Sequence, residues 1–225
     1  MGDLRSKNWR ELIRPKRIEI DQDSYSDRYG KFACEPLERG FGITIGNALR
    51  RILLSSLQGA AIVSVKIDGV LHEFSTIPGV LEDVTDVILN LKEVRIKLLD
   101  VEKAVIRLHR EGEAVVTAAD IETDGLAEIL NPEQHIATLN REANLDMEMV
   151  VKMGKGYVPA EKNKPADMDS GFIPIDAVFS CIEKVNYIVT NARVGQITDY
   201  DKLTLEIWTD GTLLPEDAVA NAAKI

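Results

Sequence analysis

An α+β fold is the expectation for this chain, and three observations carry it. Short runs alternating between apolar and polar residues recur through the middle of the sequence, as half-buried antiparallel strands require. Around residues 40–57 and 80–91 the apolar residues instead follow a helical period. A third helical stretch follows Pro215, a residue favoured at the first position of a helix.

Taken in order, K-R-I-E-I-D from Lys16 alternates as a strand, and Arg28–Glu35 reads as its antiparallel partner. From Gly40 to Leu57, Ile45, Leu49, Ile52 and Leu53 share one side of a helix, and Gly59 supplies a stop. Ala61–Ile67 and Val70–Phe74 flank Asp68-Gly69, a strong hairpin signal. Pro78-Gly79 is a turn before a second helix over Val80–Leu91. Short strands are expected at Val94–Leu99, Ala104–Leu108, Ala114–Thr117, Ile136–Leu139 and Leu145–Val151. Residues 154–174, rich in proline and glycine, read as a long exposed loop. Val185–Val194 and Leu203–Thr209 are longer strands, with Asp199-Tyr200-Asp201 a polar turn between them. The last helix runs from Glu216 with Ala218, Ala222 and Ile225 on one side. Leu214 stands where a capping side chain is expected, so that start is weakly specified. A helix still periodic at Ile225 points to a longer protein.

The 225 residues suggest one large domain or two modest ones, able to bury a core without a disulfide or metal staple. A net charge of −10, from 27 Lys and Arg against 37 Asp and Glu, argues against a module that grips nucleic acid. The charge is uneven. Arg5, Lys7, Arg10, Arg14, Lys16 and Arg17 crowd the start, Arg39, Arg50 and Arg51 share an acid-free stretch over residues 39–58, and Glu111 to Glu128 is strongly acidic. Cys34 and Cys181 lack paired spacing, so two buried thiols in a reducing compartment are expected. No apolar run is long enough to span a membrane, and the N-terminus lacks a signal peptide's apolar core. A soluble cytoplasmic protein follows.

Enzyme chemistry is hard to find. His72, His109 and His135 lie in separate strand-like runs without metal-ligand spacing, and no nucleophile elbow occurs. Gly40, Gly42 and Gly46 depart from phosphate-loop spacing and fit a strand-to-helix entry with a close-packing glycine. No cofactor is expected. The first helix stands out instead. Ile45, Ala48, Leu49 and Ile52 cluster on one side, and Ile43, Asn47, Arg51 and Leu54 lie opposite, with Arg50 on the flank. Apolar residues on two sides with arginines between them fit a helix sandwiched between its own core and another chain.

The residues of this helix carry a resemblance. Glu35–Leu57 (E-P-L-E-R-G-F-G-I-T-I-G-N-A-L-R-R-I-L-L-S-S-L) resembles the signature of the bacterial RNA polymerase alpha-subunit family. The likeness continues through Ile67–Thr76, Gly79–Lys92, Val116–Ile121, Gly154–Ala160 and Thr198–Leu203, in family order over nearly the whole chain. It implies a discontinuous assembly domain, an antiparallel sheet with two dimerisation helices, from residues 1–58 and 185–225. A β-rich insert domain would occupy 59–184. It further implies a homodimer that binds the polymerase beta and beta-prime subunits, a non-catalytic scaffold within a nucleotidyltransferase complex.

Carried over by resemblance, Arg51 matches the beta-contacting arginine, within a stretch holding Asn47, Arg50 and Leu54. Val70, His72, Glu73 and Lys92 match further large-subunit contacts, and Ile175, Asp176 and Ala177 fall at another. Phe41, Ile45, Leu49, Ile52, Leu53, Ala218, Ala222 and Ile225 are expected to form core and dimer packing. Ile197 and Leu214 depart from the family pattern, where a basic residue and a polar cap are usual. The resemblance also implies that the family's DNA-binding C-terminal domain lies outside these residues, so no direct DNA contact is expected here. Asp167 and Asp169 of the exposed loop read as solvated. The rival is a small metal-dependent phosphoester or nucleotide enzyme using Asp199 and Asp201 with the acidic 111–128 stretch.

Overall fold

The computed structural model describes residues 12–15, 17–164, 171–194 and 197–225, with the side chains of Val194, Ile197 and Thr198 also left aside. Arg5, Lys7, Arg10, Lys16, Asp167 and Asp169 lie outside the described residues. The architecture is α+β. It divides into two units, one formed by the described residues up to Leu57 with Ile182–Ile225, the other by Gln58–Cys181.

The first unit opens with β1 (Ile18–Ile20), β2 (Tyr29–Glu38) and α1 (Phe41–Ser55). The second contains β3 (Gln58–Ile67), α2 (Val84–Lys92), β4 (Ile96–Leu98), β5 (Lys103–Glu111), β6 (Ala114–Thr117), β7 (Ile121–Glu122), β8 (Ala127–Ile129), β9 (His135–Leu139) and β10 (Asn144–Lys155). It continues with β11 (Tyr157–Val158), the single turn α3 (Ala160–Asn163), β12 (Ile173–Pro174) and β13 (Ala177–Val178). The chain then returns to the first unit through β14 (Ile182–Val194), β15 (Ile197–Thr209) and α4 (Pro215–Lys224).

In the first unit the sheet order is β1-β2-β15-β14, antiparallel throughout. Alternation along β15 buries Leu203, Leu205 and Ile207 on the helix-bearing side, while Lys202, Thr204, Glu206 and Trp208 are half-buried on the other. On that second side Tyr29 and Trp208 pack with ring centroids 5.0 Å apart, and Lys184 Nζ sits 4.6 Å above the indole. The main sheet of the second unit runs β12-β3-β10-β5-β7. Its core gathers Val65 and Ile67 of β3, Ile106 and Leu108 of β5, and Met147 and Met149 of β10 under Val84, Val87 and Leu91 of α2.

Several elements differ from expectation. Asp68-Gly69 turns the chain but forms no hairpin, because β3 already has β10 on one edge and β12 on the other. Residues 70–74 therefore leave the sheet, and His72 lies in an exposed loop rather than a strand. The second helix begins at Val84 instead of Val80. Asp83 caps it, its carboxylate accepting the Asp86 N–H at 2.8 Å, while Leu81 N–H bonds the Thr138 carbonyl at 3.0 Å. The expected 154–174 loop is partly structured, with β10 running to Lys155 and β11 pairing with β13. Buried Asn163 ties it down by donating to the Ile175 carbonyl at 2.7 Å. Asp199-Tyr200-Asp201 is strand, paired opposite β14, not turn. Cys34 is half-buried, and burial pushes its thiol up from the usual range. Among the described residues no helix is long and apolar enough to cross a membrane.

Candidate functional site

Helix α1 meets the sheet on a side made of small residues. Gly40 enters it at φ 87°, a left-handed conformation that suits glycine. Gly42 and Gly46 then lie one turn apart against β14 and β15. A Cβ on Gly42 would stand 2.7 Å from Val189 Cγ1, and one on Gly46 2.6 Å from Tyr187 Cδ2. With Leu53 buried on the same side, the line Gly42, Gly46, Leu53 is the helix's own packing face. The apolar stripe expected there is rotated away from it. Ile45 is exposed, and Leu49 and Ile52 are half-buried.

That stripe borders an open apolar groove of about 370 Å³. Leu203 and Leu205 of β15 and Phe32 and Cys34 of β2 contribute to it beside Ile45, Leu49 and Ile52. Val219, Ala222 and Ile225 border it from the C-terminal helix side. Leu53 and Ala218 are fully buried and do not line it, so they act as packing beneath rather than as a surface; Phe41 is exposed. On the remaining side of α1, Ile43, Asn47, Arg50, Arg51 and Leu54 are exposed. Among the described residues no ion pair engages Arg50 or Arg51.

The second cluster of expected contacts gathers along α2. Thr85, in its first turn, donates to the Glu73 carbonyl at 3.0 Å. Lys92, in its last turn, forms an ion pair with Asp176. The 72–75 loop and the 175–177 segment thus meet opposite ends of one helix, and exposed Thr85, Leu89 and Lys92 lie between. Val70, Ile175 and Ala177 are buried, whereas His72, Glu73 and Lys92 of the same expected set are exposed. Sequence reasoning missed Leu71, 85% exposed, and Phe74, 83% exposed, as well as Leu81 and Leu89. Large apolar side chains this exposed mark interaction surfaces when they gather in a patch. The departure from the expected hairpin is what exposes the first two.

The metal-enzyme reading finds no support in this geometry. Asp201 Oδ2 accepts the N–H groups of Gly40 at 2.8 Å and Gly42 at 3.0 Å, and Asp199 Oδ1 lies 3.3 Å from Arg39 Nη1. Both carboxylates are engaged by the entry to α1, and the acidic 111–128 stretch belongs to the other unit. Among the described residues no group of three or more His, Cys, Asp or Glu side chains is arranged to hold a metal. His135 Nε2 instead lies 2.8 Å from Glu82 Oε1, and His109 Nδ1 lies 3.4 Å from Asp146 on the surface.

Residues 65–180 match the model of the RNA polymerase Rpb3/RpoA insert domain. The chain is 65% identical to the DNA-directed RNA polymerase subunit alpha of Syntrophus aciditrophicus over 219 residues, 97% of this chain and 64% of that protein. It is 62% identical to the protein of the same name from Geobacter metallireducens, with the same coverage. Against that of Desulfosudis oleivorans it is 61% identical over all 225 residues, 66% of the relative. The chain thus spans a little under two thirds of the length of the first of these curated relatives. With the insert-domain match covering half of the sequence and these identities running along nearly all of it, the chain belongs to the bacterial RNA polymerase alpha-subunit family.

Proposed function

We propose that this chain is a non-catalytic assembly scaffold of bacterial RNA polymerase. Residues 1–58 and 185–225 act as the dimerisation and assembly domain, and 59–184 as the insert domain. Two copies associate across the open groove beside α1 and α4. The exposed Asn47, Arg50, Arg51 and Leu54 side of α1 then binds the beta or beta-prime subunit, with the α2 surface around Glu73, Lys92 and Asp176 as a second contact. A two-fold dimer offers two equal faces, and two different large subunits break that symmetry by occupying one each. This portion makes no direct DNA contact, in keeping with its net charge of −10. The role implies a cytoplasmic protein.

The observation that carries the reading is the two-sided exposure of α1, an apolar stripe on an open groove and an arginine-bearing side facing solvent. The helix packs on its own sheet through Gly42, Gly46 and Leu53. Arginine flanked by aliphatic side chains is a common interface hot spot, and its truncation typically costs about 2 kcal/mol or more. Arg51→Ala is therefore expected to keep its thermal unfolding midpoint and its self-association while its capture of beta in co-purification falls about tenfold or more. Capture at wild-type affinity would remove Arg51 from the contact.

A further inference from the structure

We propose that Asp201 is a positioning residue for α1, a cap delivered from a distant strand that fixes which side of the helix faces its partners. The inference rests on the reading of α1 as the docking helix and adds the device that orients it.

The first N–H groups of any helix lack intrahelical acceptors, and a Ser, Thr, Asp or Asn at the cap position usually supplies one. Helix α1 has none of these. Its cap is Gly40, and its first turn contains no acid. The acceptor comes instead from β15, some 160 residues along the chain, where one oxygen of Asp201 takes the N–H groups of both Gly40 and Gly42. The carboxylate is only 9% exposed and stands at the positive end of the helix dipole, where a negative charge is favoured. Asp199 grips the preceding Arg39 from the same strand, an exposed pair that adds little.

Gly42 makes this approach possible, since a Cβ there would stand 3.0 Å from the same Asp201 oxygen. One turn later, Gly46 rests on Tyr187 and Leu203. Two points one turn apart on one side of a helix define its rotation about its own axis. At 100° per residue, a slip of one position would turn Arg51 away and carry the Ile45, Leu49, Ile52 stripe off the groove. A cap built from the local sequence would satisfy the N–H groups without fixing that rotation. A cap belonging to the sheet does both.

The test compares Asp201→Ala and Asp201→Asn with wild type and with Ile207→Val, a buried change on the same strand that leaves the cap intact. Amide exchange at Gly40 and Gly42 is read in the full chain, alongside self-association by sedimentation equilibrium and capture of the beta subunit. Asp201→Ala is expected to speed exchange at both glycines about tenfold and to weaken both associations by a similar factor. Asp201→Asn keeps an oxygen acceptor and is expected to recover most of each effect, whereas Ile207→Val leaves exchange at the two glycines near wild type. Wild-type exchange and binding in Asp201→Ala would overturn the inference. So would binding losses in Ile207→Val as large as those in Asp201→Ala, which would reduce Asp201 to general stability. A wild-type chain that captures no large subunit would instead overturn the scaffold reading, and the exchange data alone would still decide whether the cap exists.

Discussion

Gly46 has Tyr187 Cδ2 and Leu203 Cδ1 within 2.6 and 2.9 Å of where a Cβ would stand, so even one methyl requires α1 or these two side chains to shift. Gly46→Ala is expected to destabilise the first unit by about 1–3 kcal/mol despite alanine's better helix propensity, measured as the midpoint of urea unfolding. A more stable variant would mean the helix has room to shift. Glu82 offers a different test at the same scale. Burial alone would raise its carboxyl, but the Thr138 N–H at 2.7 Å, His135 at 2.8 Å and the Thr138 hydroxyl at 3.0 Å outweigh it and hold it below its ordinary value. A carboxyl depressed in the folded state adds stability above its unfolded pKa of about 4.3 and loses it as the pH falls through the folded value. Glu82→Gln should therefore be less stable than wild type at pH 7, with the gap closing toward pH 3 in urea titrations. A gap independent of pH would show that ionisation of Glu82 contributes nothing.

Helix α1 shows where residue spacing was legible and where it was not. The double apolar character was visible at 100° per residue, and so was the close packing of its glycines. Which side met the sheet was not. Hydrophobic periodicity assigns the core to the larger side chains, whereas here Gly42 and Gly46 face the strands and Ile45 faces the groove. Helix α2 teaches the complementary lesson. The apolar period extends back to Val80, but the backbone of Val80 and Leu81 is taken by β9 and the capping carboxylate of Asp83 sets the boundary. The alpha-family resemblance named the contact residues without saying which were exposed, and burial separates His72, Glu73 and Lys92 from Val70, Ile175 and Ala177. Asp201 was legible only as an acid in a short motif, because its partners are far away in sequence. At this scale a charge placed on the groove side of α1 is the direct probe. Ile45→Glu leaves the packed glycine side untouched, so the monomer should fold while self-association weakens by about tenfold or more, read by sedimentation equilibrium. Unchanged self-association would move the dimer contact elsewhere.

The whole molecule contains two units with separate cores, and both tryptophans, Trp9 and Trp208, fall outside the 58–181 segment. Tryptophan fluorescence therefore has no source within that segment, and Trp208 reports on the sheet of the first unit. Leu108→Ala, in the fully buried core of the second, should cost that unit about 2–5 kcal/mol and shift the far-UV transition while the fluorescence midpoint moves less. Equal shifts would show that the units unfold as one. The same division has a consequence during synthesis. Strand β2 leaves the ribosome early, yet its partner β15 arrives only after the entire insert has been made. Until then α1 has no sheet beneath its glycines and no carboxylate over its first turn. The strands of the insert's main sheet pair only with one another, so that sheet is complete in sequence before β15 is made, and the arginine-bearing side of α1 takes its final direction only when the late strands close their own sheet. A partner that reads that side would accept finished chains and pass over unfinished ones.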